Sequence, residues 1–170
     1  LPELLVKYAD VLKPHFQREV ISSGYDRFAA LHGAFWTSGT VLYVPKNVVV
    51  ERPIHVMTGL SDGAADLSRV LVVLEDGAEA TLLTEQASIT GTTTGFHCGA
   101  AEIIVGNSAH LRLVTLQNWG KGVWNFGHQK ALIGRDSTIQ WTVGALGARL
   151  SKVNQHVELV GQGATSQVNG

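Results

Sequence analysis

The chain has 170 residues, of which 45% are hydrophobic and only 16% charged, enough for one domain with a sizeable core and too apolar for a disordered chain. Thirteen Lys and Arg against fourteen Asp and Glu leave a formal charge of −1, which excludes the electrostatic footprint of a nucleic-acid-binding protein. No uncharged apolar run approaches the ~18 residues of a membrane span.

Leu1-Pro2-Glu3-Leu4 has neither the basic nor the apolar region of a signal peptide, and the missing start Met suggests a trimmed or excised piece. Leu4, Leu5, Tyr8, Val11 and Leu12 fall at helical spacing between Pro2 and Pro14. This predicts one short amphipathic helix that Pro2 starts and Pro14 ends. Ile21 to Asp26 is turn-prone, and a second short helix is expected over Arg27 to Leu31. Residues 1–38 therefore read as a helical cap over one end of a β core.

From residue 39 to 170 the pattern becomes short β-like runs. These are Thr40–Val44, Val48–Val50, Ile54–Thr58, Arg69–Leu74, Ala80–Thr84, Ala100–Val105, Ala109–Gln117, Lys130–Ile133, Ser137–Val143 and Gln155–Val160. Their corners align: Pro45-Lys46-Asn47-Val48, Glu75-Asp76-Gly77-Ala78, Gly106-Asn107-Ser108-Ala109, Gly134-Arg135-Asp136-Ser137 and Gly161-Gln162-Gly163-Ala164. The last residues of these corners are 30, 31, 28 and 27 positions apart. Such a period means one unit stacked on itself, so a β-solenoid is favoured over a β-sandwich. Alternation after the corners puts Ala80 and Leu82, Leu111 and Leu113, and Ile139 and Trp141 on one face. Leu111, Leu113, Ile139 and Val157 are expected to point inward.

No phosphate-binding loop, dinucleotide fingerprint or nucleophile elbow occurs. Cys98 is the single cysteine, so no internal disulfide forms and a reducing compartment fits best. His97 and Cys98 make the one thiol–imidazole neighbourhood and are the metal-ligand candidates. Adjacent strand residues face opposite sides, however, so the expected reading is a histidine on a solvated face beside a buried cysteine. His156 and Glu158 share a strand face and read as solvated. Asp62, Asp66, Glu75 and Asp76 read as loop and corner acids with no assigned role. Trp119 and Trp124 flank the turn Gly120-Lys121-Gly122. They form either an aromatic ledge for a sugar or partner protein, or packing over a corner. The ledge carries the alternative function, a β-helix carbohydrate-binding or carbohydrate-active protein.

The strings Phe28-Ala29-Ala30-Leu31, Phe35-Trp36, Tyr43-Val44-Pro45-Lys46, Pro53-Ile54, Glu75-Asp76-Gly77-Ala78, Ala101-Glu102-Ile103-Ile104-Val105, Thr115-Leu116-Gln117-Asn118-Trp119 and Val123-Trp124-Asn125 occur in order. With the Gly161-Gln162-Gly163-Ala164 corner, this order resembles the SufB/SufD family of iron–sulfur cluster assembly scaffolds over residues 27–170. The resemblance implies a mainly β fold, a right-handed parallel β-helix with a short N-terminal helical segment. It implies a scaffold rather than an enzyme, pairing as a homo- or heterodimer with a SufB/SufD-type subunit and binding a SufC-type ATPase. It further implies an iron–sulfur cluster held only in the assembled complex, flavin binding by that complex, and a cytoplasmic or plastid-stromal location. SufB-like sequences usually carry Cys where this chain has Gln86, and Asn is frequent where it has His32. The scarcity of cysteine points to SufD rather than SufB. No catalytic residue is assigned, and one cysteine cannot hold a cluster that commonly takes four thiolates.

Overall fold

The computed structural model describes residues 2–36 and 38–170; Leu1, Thr37 and the side chains of Pro2, Leu4 and Leu5 lie outside the described residues. The expected part of Leu4 and Leu5 in an apolar stripe falls outside them too. Three helices come first: α1 (Pro2–Lys7), α2 (Ala9–Phe16) and α3 (Arg27–Phe35). Eleven strands follow: β1 (Gly39–Val44), β2 (Ile54–Leu60), β3 (Ala64–Asp66), β4 (Arg69–Leu74), β5 (Glu79–Ser88), β6 (Thr94–Val105), β7 (His110–Asn118), β8 (Gly122–Ile133), β9 (Thr138–Ala145), β10 (Leu150–Leu159) and β11 (Thr165–Asn169).

Apart from β3, which shares a sheet with β4, the strands alternate between two parallel sheets. The first runs β1-β4-β6-β8-β10, with β3 also paired to β6, and the second runs β11-β9-β7-β5-β2. Each passage through one corner and one strand of each sheet climbs one rung, giving a β-solenoid of about five turns, the expected fold. The registers follow the corner spacing: Val44 pairs with Leu74, Leu74 with Val105, and Val105 with Ile133.

The corners explain the repeat. Their third residues, Asn47, Gly77, Ser108, Asp136 and Gly163, all have φ between 53° and 74°. This left-handed region is open to Gly and tolerated by Asn and Asp. At Gly77 a Cβ would lie 2.3 Å from Asn47 Oδ1, so a side chain there would displace that amide as well as strain the turn. Asn107 ties neighbouring corners, its backbone N–H donating to Asp76 Oδ1 at 2.7 Å and its Oδ1 accepting from Arg135 N at 3.0 Å. In the three middle corners the residue after the left-handed one turns inward and is small: Ala78, Ala109 and Ser137 are fully buried, whereas Val48 of the first corner is exposed.

Between the sheets, Val72, Leu74, Ile103, Val105, Ala131 and Ile133 face Leu82, Leu111, Leu113, Ile139 and Trp141 in one apolar core. The inward assignment of Leu111, Leu113 and Ile139 holds, and Val157 packs half-buried against the same cluster. Trp141 is fully enclosed, and its Nε1 donates to Thr115 Oγ1 at 3.1 Å, which satisfies the indole.

Four local expectations need correction. The N-terminal segment does not cap an end of the solenoid; it lies along the outer face of the first sheet, with α3 against β6 and β8. Val20 packs there on Leu71, Val73, Ile104 and Leu132, because the outward residues of these strands are themselves apolar. The single N-terminal helix is broken at Tyr8, and α2 continues past Pro14 to Phe16. Proline gives up its own N–H and crowds the carbonyl four residues back, but the residues after it can stay helical, and Phe16 packs against the Val20 cluster. Val48–Val50 is no strand: Val49 makes one isolated bridge to Glu79. Five residues separate Val49 from Ile54 but three separate Glu79 from Leu82, so two residues beside Pro53 bulge from the ladder.

Candidate functional site

Strand parity decides which side chains enter the lumen. In β6 the odd positions from Val105 and Ile103 down to His97 face inward, and the even positions face the helical cover. His97 and Cys98 therefore occupy opposite sides of the sheet, as adjacent strand residues must. The solvated surface expected for His97 is absent, because that face of β6 is the lumen, where the ring is 2% exposed.

His97 Nδ1 lies 2.8 Å from Asp66 Oδ2, and Nε2 lies 3.3 Å from Gln86 Nε2. With the Nδ1 proton donated to the carboxylate, Nε2 is left to accept from the amide. Ser68 Oγ donates to the same Asp66 oxygen at 2.9 Å. Burial pushes the Asp66 carboxyl up, but the hydrogen bond from His97, the electrostatic pull of its N–H side and the bonds from Ser68 outweigh it and hold the carboxyl below its ordinary value. The indole of Trp119 packs on the imidazole, ring centroids 5.1 Å apart.

The lumen beside this group is polar. Gln117 Nε2 donates to Gly147 O at 2.8 Å, and Asn125 Nδ2 donates to Ser151 Oγ at 2.8 Å. Gln117 Oε1 and Gln129 Oε1 are buried without a protein partner. Gln86, Gln117, Asn125 and Gln129 line a cavity of about 310 Å³ that ends against Leu113, Ile103 and Trp141 and opens past Val153. The lumen is thus packed and apolar toward the corners and open and polar toward His97.

On the other side of β6, Cys98 is fully buried beneath α3, and its Sγ donates to Phe28 O at 3.4 Å. Burial first, and the Asp26 charge second, push its thiol up to about 11. At neutral pH it is protonated and a poor metal ligand. Among the described residues no group of three or more His, Cys, Asp or Glu is placed to hold a metal ion. Asp26 caps α3 by accepting from Phe28 N at 2.9 Å and Ala29 N at 2.8 Å. It also touches His128 Nε2 at 3.1 Å and Lys152 Nζ at 3.6 Å. A buried Arg69–Glu102 ion pair holds the same cover: Arg69 Nε donates to Glu102 Oε2 at 3.0 Å, Ile21 N donates to Oε1 at 3.0 Å, and the guanidinium lies over Phe16 and Trp36.

The two-ring ledge is not formed. Trp119 is 3% exposed and packs on Leu60 and Val123, while Trp124 is 41% exposed on the outer face and carries Arg149 at 5.2 Å. Trp119 follows the inward parity of β7 and Trp124 the outward parity of β8, so the rings belong to different faces, and the sugar-binding alternative loses its second ring. His156 and Glu158 are exposed as expected, Glu158 pairing with Lys130 at 3.0 Å. Asp66, set aside in the sequence as a loop acid, is instead the partner of His97. The signal was available only through the rung spacing, since 31 residues separate the two.

This architecture defines a class: a parallel β-solenoid with its helical segment laid along one flank and a polar stretch of lumen beneath it. Residues 55–170 match the SUF system FeS cluster assembly SufBD core domain, and residues 1–56 match the SufBD protein N-terminal region. The chain belongs to the SufBD family. It is similar to an iron-sulfur cluster assembly SufBD family protein of Staphylococcus haemolyticus, 30% identical over 156 residues, which span 91% of this chain and 33% of the relative. A protein of the same description from Staphylococcus aureus strain MRSA252 shows the same identity and coverage. The chain spans about a third of the length of these curated relatives.

Proposed function

We propose that the protein acts as a SufD-like scaffold subunit of an iron–sulfur cluster assembly complex, working with a SufB-type partner and a SufC-type ATPase. The observation that carries this reading is the match of both family segments, one following the other along the chain, the first onto the helical cover and β1 and the second onto the rest of the solenoid. Stacked rungs make a stiff body, because every rung is hydrogen-bonded to the next along both sheets. Such a body holds partner surfaces at fixed separation.

The cluster is cargo rather than a resident cofactor of this chain. Clusters are commonly held by four thiolates, and the single thiol here is buried, protonated and on the face of β6 opposite His97. The ligands are then supplied by the rest of the assembly, with Cys98 or a histidine contributing one at most. ATP hydrolysis belongs to the partner subunit, the chain itself is not an enzyme, and flavin binding belongs to the assembled complex, with no residue of this chain assigned to it. A reducing compartment, cytoplasm or plastid stroma, suits the lone thiol. Among the described residues no helix is long and apolar enough to cross a membrane.

The test is co-purification of the full-length protein with a SufC-type ATPase and a SufB-type subunit under reducing conditions. A stoichiometric complex is expected. Elution of the protein alone, with the ATPase and SufB-type subunit forming their own complex, contradicts the reading.

A further inference from the structure

The 310 Å³ cavity in the lumen has a volume within the range of small-molecule sites. It exists because successive inward rows change in size. Ile103 faces Leu113 and Trp141 in the apolar row, and one step further along the strands Ala101 faces Thr84 and Thr115. The short side chain of Ala101 leaves the space. Glu85, the charged residue of the lining, turns to the outer face, where its Oε2 lies 3.0 Å from His55 Nε2.

One buried acceptor in this cavity lacks a donor. Gln117 is 9% exposed, and its Nε2 donates to Gly147 O at 2.8 Å, which fixes the amide and leaves Oε1 without a protein partner. The donors around it are committed elsewhere. Gln86, its neighbour on β5, turns its amide nitrogen to His97, and Ala145, its neighbour on β9, has no donor in its side chain. Asn125 Nδ2 donates to Ser151, and Trp141 Nε1 donates to Thr115. Gln129 Oε1 is also unpartnered, but by register it lies beside the free Nε2 of Gln155, and that pair can complete itself. A buried acceptor left unpaired is costly, so Gln117 Oε1 calls for a donor that enters from the cavity.

We propose that the cavity binds a small uncharged molecule with an apolar body and an N–H or O–H donor, an amide or an alcohol. The donor meets Gln117 Oε1, and the apolar body lies on Ile103, Leu113 and Trp141. A charged ligand is disfavoured, because the lining offers no counter-charge. Nothing in the scaffold reading requires this site, so the failure of one leaves the other standing.

The experiment titrates the full-length protein with 3-methylbutanamide in one arm and 4-methylpentan-2-one in the other. The two probes share shape and carbonyl, and differ only in an NH₂ replaced by CH₃. The readout is the ¹⁵N–¹H correlations of the Gln117 side-chain amide and the Trp141 indole. Saturable shifts of both signals are expected with the amide, at a midpoint at least about fivefold below that of the more apolar ketone. Ala101→Met, which fills the cavity and leaves Gln117 in place, should abolish the shifts; if that variant fails to fold, the comparison of the two probes decides alone. Shifts that never saturate with the amide, which leave the acceptor to solvent, overturn the proposal. So does a ketone midpoint equal to or below that of the amide, or undiminished binding in folded Ala101→Met.

Discussion

Asp66 and His97 meet across one rung of the solenoid at 2.8 Å, although 31 residues separate them in the chain. The carboxylate is held below its ordinary value while His97 and Ser68 face it. A depressed carboxyl contributes stability that is present above its unfolded value, about 3.9, and is lost as pH falls through its folded value. Asp66→Asn should therefore cost about 1–3 kcal/mol at pH 7. The gap to the unchanged protein should close as the pH is lowered below 4. Denaturant melts at a series of pH values measure this, and a gap that stays constant down to pH 3 contradicts the assigned charge.

Cys98 offers a second check on the same sheet. With a thiol pushed up to about 11 and no exposed surface, it should resist alkylation by iodoacetamide at pH 8 for as long as the protein is folded. It should react at the rate of an ordinary thiol in guanidinium. Prompt labelling of the native protein means that α3 does not cover β6 as described.

The Arg69–Glu102 pair fixes the helical cover to the solenoid. Removing one partner leaves a buried charge uncompensated, so Glu102→Ala is expected to destabilise by about 3–5 kcal/mol. Replacing both residues with Met and Leu should cost distinctly less, because no isolated charge remains. Equal losses in the single and double variants would show that packing of the segment, and not charge, holds it.

Leu113 sits in the apolar part of the lumen, opposite Ile103 and beside Trp141. Leu113→Ala should cost about 2–5 kcal/mol. Urea unfolding gives the value, and a loss well under 1 kcal/mol reverses the inward and outward faces of β7.

What the sequence makes legible follows from these physical causes. The corners stand out because a left-handed residue restricts the choice to Gly, Asn, Asp or Ser, and from the second corner on a small residue, Ala or Ser, follows it. The inward faces of β7 and β9 stand out because Leu111, Leu113, Ile139 and Trp141 alternate with polar neighbours. The front halves of β6 and β8 do not: there the inward residues are His97 and Asn125, so alternation no longer separates inside from outside. β11, Thr165–Asn169, is exposed along its whole length and has no apolar period to detect. The flank position of the N-terminal segment is invisible for a related reason. Leu71, Val73, Ile104 and Leu132 make the strands apolar on both faces, which marks a covered sheet but not what covers it. Asp66 is hidden because its partner lies one rung away, and Trp119 and Trp124 stand close in sequence although the first continues the inward positions of β7 and the second takes an outward position of β8.

The scaffold role itself is most directly measured by reconstitution. The full-length protein, a SufB-type subunit and a SufC-type ATPase are combined with iron, a sulfur source and ATP under anaerobic conditions, and cluster formation on the complex is followed by its visible absorption. The account predicts a cluster-bearing complex that contains this protein, with cluster yield falling sharply when it is omitted. Equal cluster yield without it, on a complex from which it is absent, contradicts the account.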